Sequence, residues 1–456
     1  MNINRFFSNS KNLMKLAYPI LIAQLIQNLM GFADTVMAGR VSATDMAAVA
    51  VASSVWLPLI LTISGLVMAL ASIISQLSGA KQFDDVAKAS YQTAWIAVFF
   101  SVIIIALYYI ATPLLIDSIA LEPELKRLMF EYLGYIVWGG PGYCLYLVLR
   151  NYSEGLSHTR PTMIISILGL LINIPANYIF IYGEFGAPAL GGAGCGVATA
   201  IVYWVMFLGM FAYTYFSKHL KHAPLFTKFF WPQWNEIKII LALGVPIALS
   251  LLFEVSLFAA VAIILAPFGA NVVASHQIAI NFSGLVFMVP LSLAMAVTIK
   301  VGFEVGNKNL EQAKELCRYS VILGLIIAVV TAAITLLFSH QIAAIYTIDE
   351  DVLELAASLM FLAALFQFSD AIQVISAGAL RGYKDTKSIL YITFFSYWIV
   401  GLSFGLILGI TDWIVPATGP YGFWIGFISG LTVAAILLAW RLKVVQNRFE
   451  QQALAS

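Results

Sequence analysis

Charged residues are scarce in this sequence of 456 residues, since aspartate, glutamate, lysine and arginine together make up only 10% of it. A soluble domain carries about a quarter of its residues charged, so an ordinary water-soluble protein is excluded. Cysteine is scarce too. Cys144, Cys195 and Cys317 are too few and too scattered for a disulfide framework, and we interpret them as packing residues.

Sequence patterns that mark enzymes are also missing. No Ser-His-Asp, HExxH or Walker A pattern occurs, and the histidines show no metal-ligand spacing. The glycine-rich "GGAGCG" at 191–196 does not follow a strand, so it predicts close helix packing rather than a dinucleotide site. A net charge of +1 gives no basis for nucleic-acid binding. We therefore expect neither an enzyme nor a bound cofactor.

Long apolar runs fill the sequence instead. Each is about 20 residues or longer, enough to cross about 30 Å of hydrocarbon at about 1.5 Å per residue. We place twelve of them near 16–38, 46–74, 91–114, 128–149, 162–182, 194–216, 239–266, 273–299, 319–339, 353–380, 388–410 and 421–440. The pattern predicts an all-α polytopic membrane protein with twelve transmembrane helices. The polar, basic start leads into a first run of full spanning length, so we expect no cleavable signal peptide.

Lysine and arginine are unevenly distributed between alternate loops. With twelve spans and a cytoplasmic N-terminus, only Arg40, Lys126 and Arg127 fall on outer loops, and all other lysines and arginines fall on cytoplasmic segments. Positive charge marks the cytoplasmic side of helical membrane proteins. We expect both termini to be cytoplasmic.

The chain repeats itself at an offset of about 227 residues, a period that marks an internal duplication. Pro19 then aligns with Pro246, and Gly155 aligns with Gly382. Because each copy holds an even number of helices, both copies enter the membrane in the same sense and form a parallel pseudo-two-fold repeat. We predict an N-terminal six-helix lobe at 1–216, a cytoplasmic linker at 217–237 and a C-terminal six-helix lobe at 238–456.

Three acidic residues lie inside the predicted spans: Asp34, Glu254 and Asp370. Each costs roughly 2.5–3.5 kcal/mol at a helix centre, and no lysine or arginine is expected at the same depth to pair with it. The repeat does not duplicate them, which disfavours a purely structural role. Such a carboxylate takes up a proton or holds a hard cation such as Na⁺, and Glu254 and Asp370 belong to the same lobe.

Other residues extend this candidate site. The polar residues expected to accompany Asp34 in the same half are Asn173, Asn177 and Thr199. The two asparagines share one helix face around Pro175. Phe282, Phe287 and Met288 are candidates for the lining of an adaptable apolar pocket. Prolines inside the spans free backbone carbonyls and predict bends, either for packing or for opening and closing; they are Pro19, Pro58, Pro141, Pro175, Pro246 and Pro290.

Several long segments resemble the multidrug and toxic compound extrusion (MATE) transporters, and specifically their NorM branch. They are "GFADTVMAG" (31–39), "GLLINIPANYIFIYGEFGAP" (169–188), "GGAGCGVATAIVYW" (191–204), "LLFEVSLFA" (251–259) and "LRGYKD" (380–385). The resemblance covers essentially the whole chain. It implies two six-helix lobes and export of cationic drugs and dyes in exchange for Na⁺ or H⁺.

The resemblance also implies roles for single residues. Glu254 and Asp370 match cation-site carboxylates, with Na⁺ as the implied ion, and Asp34 matches a functional aspartate of the first helix. Some relatives carry a tyrosine one turn before the later aspartate, where this chain has Phe366. The cation site is then completed by another residue, or the ion preference differs.

We expect a monomeric secondary active antiporter of the bacterial inner membrane that gives antibiotic resistance. A lipid-linked precursor flippase of the same superfamily is the near alternative, and it would need cationic residues in the cleft. A membrane enzyme would need a catalytic constellation, and a uniporter or channel is disfavoured by the two-lobe repeat.

Overall fold

The computed structural model describes residues 3–115 and 122–455, and within them the chain is helical, without a strand. Eleven helical segments are long and apolar enough to cross a membrane. The α-helices are α1 (Ile3–Gly39), α2 (Ala43–Gly79), α3 (Phe83–Leu115), α4 (Pro123–Ile136), α5 (Gly140–Gly155), α6 (Arg160–Tyr182), α7 (Gly194–Phe216), α8 (Trp234–Leu265), α9 (Ala270–Gly306), α10 (Leu310–Leu337), α11 (Ser339–Tyr346), α12 (Glu350–Gly382), α13 (Thr386–Phe394), α14 (Leu402–Ile410) and α15 (Pro420–Ala455).

The span predicted at 128–149 is built differently from the others. It consists of α4 and α5, joined by a 3₁₀ turn at Val137–Gly139. Pro141 lies in the first turn of α5, where its missing N–H breaks no helical hydrogen bond. Together with the eleven longer segments, this broken helix confirms the prediction of twelve helical spans.

The repeat is visible in the bounds of the helices. α2 runs from Ala43 to Gly79 and α9 from Ala270 to Gly306, which is the same element at the predicted offset. The turns that follow also match, since Lys81 and Lys308 both adopt a positive φ, of 58° and 60°. Two corresponding turns with the same unusual backbone confirm that the halves are copies of one six-helix design.

Packing divides the chain into two compact units with boundaries inside helices. One unit is Pro19–Ala248, and the other combines the residues up to Tyr18 with those from Leu249 onward. In the second unit Arg5 pairs with Glu315 at 3.2 Å, which ties the start of α1 to α10. The predicted lobe boundaries at 216 and 238 follow the repeat and stay a prediction.

The linker predicted at 217–237 is fastened to α3 within the first unit. The Gln92 side chain donates to the carbonyl of Trp231 at 2.9 Å and accepts from the Gln233 amide at 2.8 Å. Trp95 Nε1 donates to the carbonyl of Phe230 at 3.1 Å. These bonds satisfy backbone groups that irregular structure would otherwise leave unpaired.

Glycines at 191–196 permit the close packing that the sequence predicts. A Cβ on Gly194 would lie 2.5 Å from the carbonyl oxygen of Phe180, and one on Gly196 would lie 2.5 Å from that of Tyr132. Only glycine allows backbones to approach so closely. The three cysteines are buried and free, as predicted.

Candidate functional site

Asp34 is the centre of a buried polar cluster in the first unit. Its Oδ1 accepts hydrogen bonds from Nδ2 of Asn173 at 3.0 Å and of Asn177 at 2.6 Å, and its Oδ2 accepts from Oγ1 of Thr199 at 3.1 Å. The Asp34 residue is 5% exposed. Three donors from α6 and α7 therefore meet one carboxyl group of α1, and an ionised carboxylate is suited to accept all of them.

The positions along α6 explain how this cluster forms. Asn173 and Asn177 are one helical turn apart and point to the same face, and Asn177 Nδ2 also reaches Oδ1 of Asn173 at 3.2 Å. Pro175, between them, lies inside the helix. The structure thus brings together the four polar residues that the sequence singles out in this half.

Glu254 of α8 lies in a different environment in the second unit. It lines a small cavity together with Leu257, Phe258 and Tyr397, against Phe427, Gly430 and Leu431 of α15. The cavity volume is about 10 Å³, close to the minimum that holds one water molecule.

Asp370 of α12 lines a second small cavity in the same unit. Its neighbours there include Phe287, Phe366 and Gln367. Asp370 is 3% exposed and lies within electrostatic range of Glu254. Two carboxylates within electrostatic range repel each other when both are ionised, and a bound cation reduces that cost.

The two C-terminal carboxylates differ from Asp34 in their bonding. Among the described residues, neither the Glu254 nor the Asp370 side chain has a hydrogen bond or an ion pair. Asp34, by contrast, has donors on both of its oxygens. Unsatisfied carboxylate oxygens inside a protein need a proton or a cation.

The three predicted pocket-lining residues lie on α9. Phe287 lines the Asp370 cavity. Phe282 is half-buried against the hydrophobic core of this unit, and Met288 is half-buried one residue after Phe287. Only Phe287 is placed directly beside a carboxylate.

Arg381 is a charge that the sequence assigns to a loop and the structure places in the last turn of α12. It is 6% exposed, and its Nε and Nη2 atoms have no hydrogen-bond partner. It lies within electrostatic range of Glu254. Among the described residues Arg381 forms no ion pair with Glu254, so the expectation that no arginine pairs with the buried carboxylates stays a prediction. Ala379 and Leu380 precede Arg381 in a continuing helix, and this was the only sequence signal that Arg381 could reach the interior.

The histidines and cysteines form no metal site in the part of the chain that the structure describes. No three His, Cys, Asp or Glu side chains gather there in a metal-binding group. His276 is buried against Trp424 and Phe427. The predicted Na⁺ site at Glu254 and Asp370 stays a prediction.

A duplicated set of six spanning helices with carboxylates inside the spans is the construction of a secondary transporter. The MatE family model matches residues 19–179 and again residues 246–407, one match in each half. The chain belongs to this family of transporters and is not an enzyme.

Relatives and solved structures agree with this assignment. Two proteins named "Multidrug resistance protein MdtK", from Photorhabdus laumondii and Yersinia pseudotuberculosis, are each 50% identical to this chain, over 99% and 98% of both sequences. The structure titled as the outward-facing conformation of a multidrug resistance MATE family transporter matches with a TM-score of 0.87 at 23% identity, over 97% of both chains. A eukaryotic MATE transporter matches with a TM-score of 0.85 at 18% identity, over 98% of this chain and 99% of the other.

Proposed function

We propose that this transporter exports lipophilic cationic compounds in exchange for Na⁺ or H⁺ by alternating access. The observation that carries the proposal is the pair Glu254 and Asp370, two carboxylates in spanning helices, within electrostatic range of each other and without hydrogen bonds among the described residues. The names of the half-identical relatives, which are multidrug resistance proteins, support the drug side of the exchange.

Coupling follows from the electrostatics of this pair. When a cation binds, it neutralises charge that is costly in the protein interior, so it stabilises the conformation in which the pair is enclosed. Loss of the cation to the cytoplasm restores the repulsion and favours the other conformation. The two conformations thus differ in cation affinity, which is what exchange requires.

In this proposal the transporter selects drugs by their lipophilicity and positive charge rather than by their shape. Phe287 places an aromatic ring in the cavity of Asp370. Apolar walls with negative charge favour lipophilic cations, and Phe282 and Met288 on the same helix would extend those walls. Asp34, with Asn173, Asn177 and Thr199, would serve as a second polar site in the other unit.

Location and assembly are part of the same proposal. The distribution of lysine and arginine supports a bacterial inner-membrane protein with both termini in the cytoplasm. We propose that it acts as a monomer and needs no cofactor beyond the coupling ion.

One observation favours the alternative of a lipid-linked precursor flippase. Arg381 is a buried cation, and a flippase needs cations to hold a pyrophosphate. Yet a single arginine within range of Glu254 has a carboxylate to interact with, which makes it a poor anion site.

The proposal is tested by dye export from bacterial cells that lack their own drug exporters. Cells with the wild-type protein should accumulate less ethidium than cells with Glu254→Gln at equal amounts of protein in the membrane. The exposed Glu311 on α10 provides a matched control, Glu311→Gln, which should export like the wild type. Equal accumulation in wild-type and empty-vector cells, for several cationic dyes, would contradict the proposal.

A further inference from the structure

The linker between the two halves ends in a segment rich in aromatic residues. Its last part, "KFFWPQW" at 228–234, holds four aromatic residues among seven. Phe229 is 58% exposed, Trp231 71% and Trp234 63%. Large apolar side chains crowded together on a surface mark a place where a membrane or a partner binds. None of these residues lines the cavities of Glu254 and Asp370, so the proposed transport cycle does not account for them.

The exposed rings are held in place by rings of α3. The Trp95 ring stacks on that of Trp231, with centroids 6.3 Å apart and planes at 12°. Phe229 meets the edges of Tyr91 at 5.3 Å and of Trp231 at 5.2 Å, and Phe230 lies against Tyr91 at 5.9 Å. Such pairs stabilise one another, so these five residues form a fixed surface, which we call the aromatic cluster.

The attachment to α3 sets the depth of the aromatic cluster. The apolar run of α3 begins near residue 91, and the linker is bonded to Gln92 and Trp95, within the first turns of that run. The linker therefore lies where α3 passes from the membrane surface into the hydrocarbon. Tryptophan and tyrosine are enriched at this boundary, because their rings are apolar and carry one polar group.

Irregular backbone at this depth needs hydrogen-bond partners inside the protein, because the hydrocarbon supplies none. The buried Gln92 uses both ends of its amide on the backbone of Trp231 and Gln233. The indole of Trp95 satisfies the carbonyl of Phe230. α3 thus supplies the partners that allow a segment without helical structure to lie at the edge of the hydrocarbon.

Positive charge surrounds the aromatic cluster. The only acidic residue of the linker, Glu236, is occupied by Lys88 at 2.8 Å. Nζ of Lys238 lies 5.5 Å from the ring centroid of Trp234, at the end of the aromatic segment. Four lysines in and just after the linker are exposed and form no ion pair among the described residues: Lys218, Lys221, Lys228 and Lys238.

These properties together select one kind of partner. Exposed lysines beside a membrane attract the phosphate groups of anionic lipids, and each lysine adds to the attraction. A zwitterionic lipid offers the same hydrocarbon chains without a net negative charge. A protein partner would have to replace lipid at the depth of the aromatic cluster. Anionic phospholipid therefore matches both the rings and the lysines.

We propose that the aromatic cluster, with Lys228 and Lys238, binds the headgroup region of an anionic phospholipid. The two lysines stand at either end of the aromatic segment and hold the phosphate, while Trp231 and Phe229 contact the glycerol and the first part of the chains. The linker that joins the two halves is then bound to lipid at the membrane surface. This inference depends neither on the coupling ion nor on the exported compound.

The test is lipid binding by the purified full-length protein, with bound lipids counted by mass spectrometry of the intact protein released from detergent micelles. Phosphatidylglycerol and phosphatidylcholine are titrated separately. In Lys228→Gln/Lys238→Gln the half-saturating phosphatidylglycerol concentration should rise about tenfold or more, and phosphatidylcholine binding should stay unchanged. The control is Lys11→Gln/Lys15→Gln, which removes the same charge from exposed positions of α1 and should bind like the wild type.

Two further variants separate charge and ring contacts from a disturbed fold. Lys228→Arg/Lys238→Arg keeps the charge and should bind phosphatidylglycerol like the wild type. Trp231→Ala keeps every lysine and should weaken the binding of both lipids. Its control is Trp413→Ala, at an exposed tryptophan outside the aromatic cluster, which should bind both lipids like the wild type.

Four outcomes would overturn the inference. Equal binding of the two lipids by the wild type would show that the linker does not select negative charge. Equal losses in the two double glutamine variants would assign the effect to total charge. Displacement of phosphatidylglycerol by excess inorganic phosphate would indicate a site for free anions. Unchanged binding in Trp231→Ala would exclude the aromatic cluster.

Discussion

Asn177 donates a hydrogen bond of 2.6 Å from Nδ2 to Oδ1 of Asp34, across 143 positions of sequence. Asn177→Ala removes this donor from a buried carboxylate. We expect a loss of about 1–3 kcal/mol in the free energy of unfolding and weaker export. Unfolding titrations of the purified protein measure the first effect. Asn28→Ala, an exposed change on α1, is the control, and equal losses in the two variants would contradict a special role for the Asp34 cluster.

Replacing Gly378 with alanine should cause a packing defect that is independent of transport. A Cβ at this position of α12 would lie 2.5 Å from the carbonyl oxygen of Ala294 on α9. Gly378→Ala should therefore force the helices apart and destabilise the protein by about 1–3 kcal/mol. Gly284→Ala is the matched control, because nothing lies within 4 Å of the added Cβ. Similar melting temperatures for the two variants would show that α9 and α12 do not pack as described.

Arg381 places a permanent positive charge within electrostatic range of Glu254. That charge opposes the binding of any second cation at Glu254. Arg381→Gln should therefore lower the half-saturating concentration of the coupling ion, while release of the ion slows and export falls. Ion-dependent dye transport in liposomes measures both quantities. The exposed Lys443→Gln should behave like the wild type, and a raised half-saturating concentration in Arg381→Gln would contradict this role.

His158, in the connection between α5 and α6, should make the folded protein less stable at acidic pH. Burial first, and then the charges of His219 and His222, lower the pKa of His158. Because the pKa is lower in the folded protein than in the unfolded chain, the stability it contributes is complete above the ordinary histidine pKa. It is lost as pH falls through the lowered value.

Melting temperatures measured between about pH 7 and about pH 5 test this expectation. The melting temperature of the wild type should fall with acidification, and that of His158→Gln should fall less. The exposed His340→Gln should fall as the wild type does. A wild type and a His158→Gln variant with the same slope would rule out His158 as the source.

The spans and the Asp34 cluster were predictable from sequence, for physical reasons. An apolar run of about 20 residues has few alternatives to a spanning helix. Asn173 and Asn177, one turn apart, had to share a helix face, and Asp34 was an acidic residue at comparable depth. Periodicity and charge carry this information directly.

Other features depend on contacts between distant helices. The 3₁₀ turn at Val137–Gly139 and the π-helical turn at Phe395–Gly401 are backbone adjustments, and the second is matched to glycines of α15. No local pattern encodes such a match. Arg381 was missed because a charge near a helix end is typical of a loop.

The most direct test of the account uses the purified protein in liposomes loaded with a fluorescent lipophilic cation. A Na⁺ gradient alone and a proton gradient alone are imposed in turn, on the wild type, Glu254→Gln and Asp370→Asn. We predict dye movement driven by the Na⁺ gradient in the wild type and its loss in both variants, which should still fold and insert. Driven transport that persists in both variants would contradict the assignment of the coupling site to Glu254 and Asp370.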